Sequence, residues 1–195
     1  MKYRHLLISL LLAVAAAHSR ADIIATFDKT IRMIVVAAEK TGASYSLAPA
    51  STGNPHPSGR FSWIAKERNF LEYYYGIDVP ACPQIDPKGK IVLRVRTDTP
   101  EAIWALGVRL KTPQGEIFHF DISPALVGGQ WEEVVIDVAQ GKSKANWGGP
   151  KGGQLEGPLL LTGLSILANP SSSSGEIRIE HVAWEDAAQA PAKTK

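Results

Sequence analysis

The sequence predicts an all-β domain, built as a sandwich, jelly roll or barrel, on three observations. Apolar residues alternate with period two through most of the region from Ile91 to Ile179. Gly, Pro, Asn and Ser bound these runs, as they do between strands. Only Ile31 to Lys40 has a helix-like pattern, and its Ile34-Val35-Val36 centre is β-branched and equally suited to a strand. Many short strands without intervening helices bury themselves sheet on sheet.

The chain has 195 residues, with 21 Lys+Arg, 19 Asp+Glu and a formal net charge of +2. Lys2, Arg4 and His5 precede an apolar run from Leu6 to Ala17, and Ser19-Arg20-Ala21 follows with small residues at both ends. A basic start, a short apolar stretch and a small-x-small site form a secretory signal, here residues 1–21 with a cut before Asp22. A membrane-spanning helix needs about 20 apolar residues, so no membrane insertion is expected after cleavage. Removing Lys2, Arg4 and Arg20 leaves 18 basic residues against 19 acidic ones, a net of −1. That balance gives no reason to expect a nucleic-acid partner. The remainder divides into a β-sandwich domain, 22–186, and a small, polar tail, 187–195, expected to be disordered. Cys82 is the only cysteine, so an internal disulfide is excluded, and a buried, inert thiol is expected there.

Taken in order, Pro49 to Gly59 is a surface loop dense in Pro, Gly, Ser and Asn. Phe70 to Ile77 is a strand with Leu71, Tyr73, Tyr75 and Ile77 on its apolar side and Tyr74 beside Glu72 on the other. Leu93 and Val95 alternate with Arg94 and Arg96, and Trp104, Leu106, Val108 and Leu110 alternate with Arg109 and Lys111. Phe118 and Phe120 alternate with His119 and Asp121, across a turn, Thr112-Pro113-Gln114-Gly115, suited to a tight hairpin. Val134, Ile136 and Val138, then Leu164 and Ile166, then Ile177 and Ile179 supply further strands. Gly141 to Gly157 is a second, glycine-rich loop.

The succession Leu93-x-Val95-Arg96-Thr97-Asp98, Leu106-x-Val108-x-Leu110, Gly129-Gln130-Trp131-x-x-Val134-x-Ile136, Leu161-x-Gly163-Leu164-x-Ile166 and Gly175-Glu176-Ile177-x-Ile179-Glu180 resembles the galactose-binding-like β-sandwiches. These occur as carbohydrate-binding modules beside bacterial glycoside hydrolases and lyases. Asn146-Trp147-Gly148-Gly149 before a Pro-Leu strand is similar to loops of such modules, and the resemblance covers Phe61 to Trp184. It implies a two-sheet antiparallel jelly roll that binds sugar on a sheet face or at the loop ends. It also implies a structural Ca²⁺ held by acidic side chains, for which the last strand offers Glu176 and Glu180. Calcium takes six to eight oxygens, and the full set is not visible in the sequence. No other cofactor is expected.

Pairing Leu110 with Phe118 sets Arg109 opposite His119 and Gly107 opposite Asp121. One sheet face is then expected to carry Arg94, Arg96, Arg109, His119 and Asp121, with Tyr74 as a further member. Such a face is either solvated or a polar groove whose arginine forks bind hydroxyls or carboxylates. Three arginines would favour an acidic sugar. Trp104 shares the parity of three aliphatic residues and is expected in the core; Trp131 is expected to pack at the sandwich rim and Trp184 to close the core. Trp147, in the glycine-rich loop, is either a plug over the sandwich end or a binding platform.

Catalytic patterns are sparse. No Gly-x-Ser-x-Gly occurs, and His56 and His119 show no metal-ligand spacing. The expected function is an exported, periplasmic or extracellular, non-catalytic carbohydrate-binding module. The alternatives are a lyase or hydrolase on a jelly roll, with Arg, His and Tyr as working groups, and a secreted protein-interaction module.

Overall fold

A computed structural model describes residues 22–27, 33–64, 66, 69–75, 85, 87–150 and 152–186. The expected signal segment, Ile77, Cys82 and the 187–195 tail lie outside the described residues. The strands are β1 (Asp22–Thr26), β2 (Met33–Val36), β3 (Ser44–Ala48), β4 (Ser58–Ile64), β5 (Phe70–Tyr75) and β6 (Gly89–Arg96). They continue as β7 (Ile103–Lys111), β8 (Ile117–Ile122), β9 (Trp131–Asp137), β10 (Ala145–Trp147), β11 (Leu160–Ala168) and β12 (Ser174–Asp186). The ambiguous stretch near Ile34 divides: β2 carries its β-branched residues, and a single turn of helix, Ala38–Thr41, follows.

Two six-stranded antiparallel sheets form a sandwich. Sheet A runs β3-β4-β12-β6-β9, with β1 also paired to β12; sheet B runs β10-β8-β7-β11-β5-β2. Alternation explains the layering, because one side of each strand is apolar and must meet the other sheet. Leu71, Leu106, Val108, Leu110, Leu164 and Ile166 from sheet B are buried against Phe61, Ile91, Leu93, Val95, Ile177 and Ile179 from sheet A. An aromatic cluster bridges the layers at one end: the Phe61 ring meets Tyr73 edge-on at 4.8 Å and Phe27 at 5.5 Å. The Tyr73 hydroxyl donates to the Ser62 carbonyl at 3.4 Å, and burial holds it firmly protonated. Trp184 lies in the core, as expected.

The β7–β8 hairpin has the expected register, with Leu110 opposite Phe118, Arg109 opposite His119 and Gly107 opposite Asp121. Two expectations fail here. Arg94 and Arg96 do not share that face, because β6 belongs to sheet A and β7 to sheet B. The connection between them turns at Pro100–Ala102 and is pinned by Thr97, whose hydroxyl donates to the Glu176 carbonyl at 2.6 Å. Consecutive strands are often neighbours, but this pair crosses the sandwich. Trp104 is not in the core; it is 56% exposed. The β7–β11 register shifts so that Leu167 faces Ala105 while Ala168 faces Ile103, leaving Trp104 as an extra, bulged residue. The core-facing set of β7 is therefore Ile103, Leu106, Val108 and Leu110, with Trp104 and Ala105 both between inward positions.

Candidate functional site

The outer face of sheet B gathers five of the residues singled out in the sequence. Register places Tyr74, Gly163, Arg109 and His119 in one row across β5, β11, β7 and β8. The next row is Glu72, Ser165, Gly107 and Asp121. Directly opposed residues point to the same side of a sheet, so these side chains share one surface. Trp147 reaches it from β10, which pairs with β8.

Arg109 is the centre. Its side chain is only 4% exposed, and its Nη2 donates to the Glu72 carboxylate. Its guanidinium carbon lies 4.7 Å from the Tyr74 ring centre, 4.9 Å from Trp147 and 5.7 Å from Phe70. Cation–π attraction is favoured at these distances, more so where water is excluded. Small neighbours make the arrangement possible. Gly163 stands between Tyr74 and Arg109, and a Cβ there would lie 2.7 Å from the Tyr73 carbonyl oxygen and 3.1 Å from Tyr74 Cδ1. Gly107 likewise leaves room for the His119 ring, whose Cε1 would lie 2.8 Å from an added Cβ.

Trp147 is not on a free loop. Asn146 Nδ2 donates to Glu116 Oε1 at 2.5 Å, and the Gly153 amide donates to the same oxygen at 3.3 Å. Lys144 N donates to the His119 carbonyl at 2.8 Å. Gly148 and Gly149 follow with φ of 73° and 52°, turning the chain away immediately after the ring. The Trp147 ring lies over Arg109 at the edge of the sheet B face.

His119 Nε2 lies 3.3 Å from Asp121 Oδ2, and its ring meets Phe70 edge-on at 5.7 Å. Burial lowers the His119 pKa from the ordinary imidazole value; Asp121 pulls it up and Arg109 pushes it down. The imidazole is therefore neutral at neutral pH. His119 Nδ1 and the Nε and Nη1 atoms of Arg109 are buried without a hydrogen-bond partner among the described residues. The face thus offers aromatic rings gathered over a buried cation, which suits a ligand with apolar C–H faces.

Arg94 and Arg96 lie instead on the outer side of sheet A, with Glu176 and Glu180 of β12. Both carboxylates are engaged by arginines. Glu176 accepts from Arg60 Nε at 2.6 Å and from Arg178 Nε at 3.1 Å, and Glu180 lies 2.5 Å from Arg94 Nε. Among the described residues, no group of three or more His, Cys, Asp or Glu is placed to hold a metal. Sequence reading set Glu72 beside Tyr74 but missed Phe70 and Ser165 as members of the sheet B face. Phe70 and Glu72 have the parity of Tyr74, which was the available signal; Ser165 could be found only through the β11 register.

No family profile matches the chain, and no curated protein matches it. Solved structures do. The family 11 carbohydrate-binding module of the cellulosomal cellulase Lic26A-Cel5E of Clostridium thermocellum is 14% identical. The alignment covers 87% of this chain and 96% of that one, with a TM-score of 0.60. A family 11 module from the same organism, in complex with a β-1,3-1,4-mixed-linked tetrasaccharide, is 14% identical over 86% of this chain and 96% of that one (TM-score 0.57). An exo-β-agarase is 10% identical over 91% of this chain but only 26% of its own length (TM-score 0.50). The chain has the two-sheet antiparallel β-sandwich fold of these carbohydrate-binding modules.

Proposed function

We propose that this chain is an exported, non-catalytic carbohydrate-binding module that holds a glycan chain on the outer face of sheet B. The observation that carries the proposal is the cluster of Tyr74, Phe70 and Trp147 around a buried Arg109. Sugar rings bury their C–H faces on aromatic rings, which here are gathered around the buried Arg109. The fold shared with carbohydrate-binding modules supports the same reading.

The acidic ligand expected from three arginines finds no support on this face. Of the three arginines only Arg109 is present, and its charge is matched by Glu72, as that of Lys144 is by Asp121. A neutral glycan fits better. The same geometry argues for binding over hydrolysis. Glu72 and Asp121 occupy one row but stand three strand spacings apart, about 14 Å between backbones. Glycosidase carboxylates stand about 5–9.5 Å apart.

The test is calorimetry of the chain from Asp22 onward with a β-1,3-1,4-mixed-linked tetrasaccharide. Micromolar to millimolar affinity is expected, about −4 to −8 kcal/mol. Tyr74→Ala and Trp147→Ala should each weaken binding at least tenfold. Affinity unchanged in both variants would overturn the assignment of the face. Steady release of shorter sugars would instead favour the enzyme reading.

A further inference from the structure

The opposite surface of the molecule carries an arrangement that the sheet B reading does not use. Register aligns Ser46, Arg60, Arg178, Arg96 and Trp131 in a single row across β3, β4, β12, β6 and β9. Ile177 and Ile179 flank Arg178 in the core, so the row points outward. Three arginines stand on adjacent strands, each directly opposite the next. Like charges directly opposed are destabilising, and strand spacing sets these backbones only about 4.8 Å apart.

Compensation is incomplete. Arg60 and Arg178 share the one carboxylate of Glu176. Arg96 reaches Asp98 only at 3.6 Å, and that carboxylate is 68% exposed. Arg96 Nε and Trp131 Nε1 are buried without a hydrogen-bond partner among the described residues. The next row adds Arg94, opposite both His181 and Glu133 and joined to Glu180. The loop after β3 borders this end, where Arg94 Nη2 donates to the Gly53 carbonyl at 3.3 Å.

We propose that the outer face of sheet A is a second binding site, for an acidic polysaccharide, read by Arg60, Arg178 and Arg96 with Trp131 at the end of the row. Guanidinium forks match carboxylates in two-point contacts, and the indole offers a stacking face beside them. A glycan with one carboxylate per sugar suits this surface better than a nucleic acid. Glu176, Glu180 and Glu133 are interspersed with the cations. They tolerate a sparse anion but oppose a polyphosphate, which carries a charge every 3.4 Å or so along each strand. From Asp22 onward the chain has 18 basic against 19 acidic residues, a net of −1.

The site lies across the core from the sheet B face, so the two readings stand or fall separately. The experiment is affinity electrophoresis of the chain from Asp22 onward in gels containing polygalacturonate, a neutral mixed-linked glucan, or a DNA duplex. Polygalacturonate should retard the protein, and raising the salt to 0.3 M should abolish most of the effect because these charges are partly solvated. Arg96→Gln and Arg178→Gln should each weaken the retardation tenfold or more, leaving retardation by the neutral glucan unchanged. Arg96→Lys keeps the charge but not the fork, and should fall between. Melting temperature reports whether each variant is folded. The proposal is overturned if polygalacturonate does not retard the protein, or if folded Arg96→Gln and Arg178→Gln behave as the parent. DNA retarding the protein as strongly, with the same variant dependence, would also overturn it. Loss of glucan binding alone would sink the sheet B reading and leave this one intact.

Discussion

Arg109 and His119 lie opposite each other, and both are buried. The Arg109 guanidinium donates to Glu72 and is surrounded by three rings. His119 loses its charge because the desolvation that lowers its pKa outweighs the pull of Asp121, with Arg109 adding to the fall. Glu72 and, more distantly, Lys144 through Asp121 complete the set of charges facing it. His181, on the other sheet, is lowered in the same way, by burial first and despite Glu180. The unfolded chain takes up protons near the ordinary histidine value of about 6.5, whereas both folded imidazoles resist until lower pH. The unfolded state therefore binds more protons as pH falls, and stability declines. Stability is full above about pH 6.5 and is lost as the pH drops toward the lowered folded values. Thermal melts at pH 7.5 and 5.0 should show this decline, and His119→Gln should make it shallower. An equally steep decline in that variant would mean that His119 does not contribute.

At the scale of the strand, the bulge at Trp104 decides more than propensity does. The β7 sequence reads as uninterrupted alternation from Trp104 to Leu110, and the sequence-based expectation follows that parity into the core. One unpaired residue against β11 reverses it, because the side-chain period is two. Trp104→Ala should therefore change stability by less than about 1 kcal/mol, against the 3–5 kcal/mol expected of a buried tryptophan. Urea denaturation measures it, and a loss above about 2 kcal/mol would place the ring back in the core. A second bulge, at Glu180, shifts β12 against β6 in the same way and sets His181 outward, opposite Arg94. Strand identity and the β7–β8 hairpin were legible because alternation and turn residues are local. Sheet membership was not. Outer faces of both sheets read as the same polar alternation, so nothing local to Arg94 or Arg96 tells which sheet they join. The candidate site was legible where it rests on one hairpin, in Arg109, His119 and Asp121, and in Tyr74 by parity. It was not legible where it depends on β11, which joins β5 to β7 and contributes Gly163 and Ser165.

For the whole molecule, β12 is the organising strand of sheet A. Its first half pairs with β4 and its second half with β1, on one side, while β6 runs along the other. Among the described residues β1 pairs from Asp22, opposite Trp184, to Thr26, and Asp22 is the first residue after the expected signal cut. Export processing at that point would leave the strand whole, whereas a cut six residues later would remove it. Ile24, Ala25 and Phe27 are buried, and Phe27 packs edge-on against Phe61 within the aromatic cluster that joins the two sheets. Losing β1 would unpair the end of β12 around Val182 and Trp184 and open that cluster. Phe27→Ala alone should cost about 3–5 kcal/mol, as large-to-small changes at fully buried rings do. A chain beginning after Phe27 should lose more, since the backbone pairing goes as well. Both can be compared in urea with the chain that begins at Asp22. A truncated chain with an unchanged midpoint would show that β1 is dispensable. The placement of the cut before Asp22 would then have no structural reason.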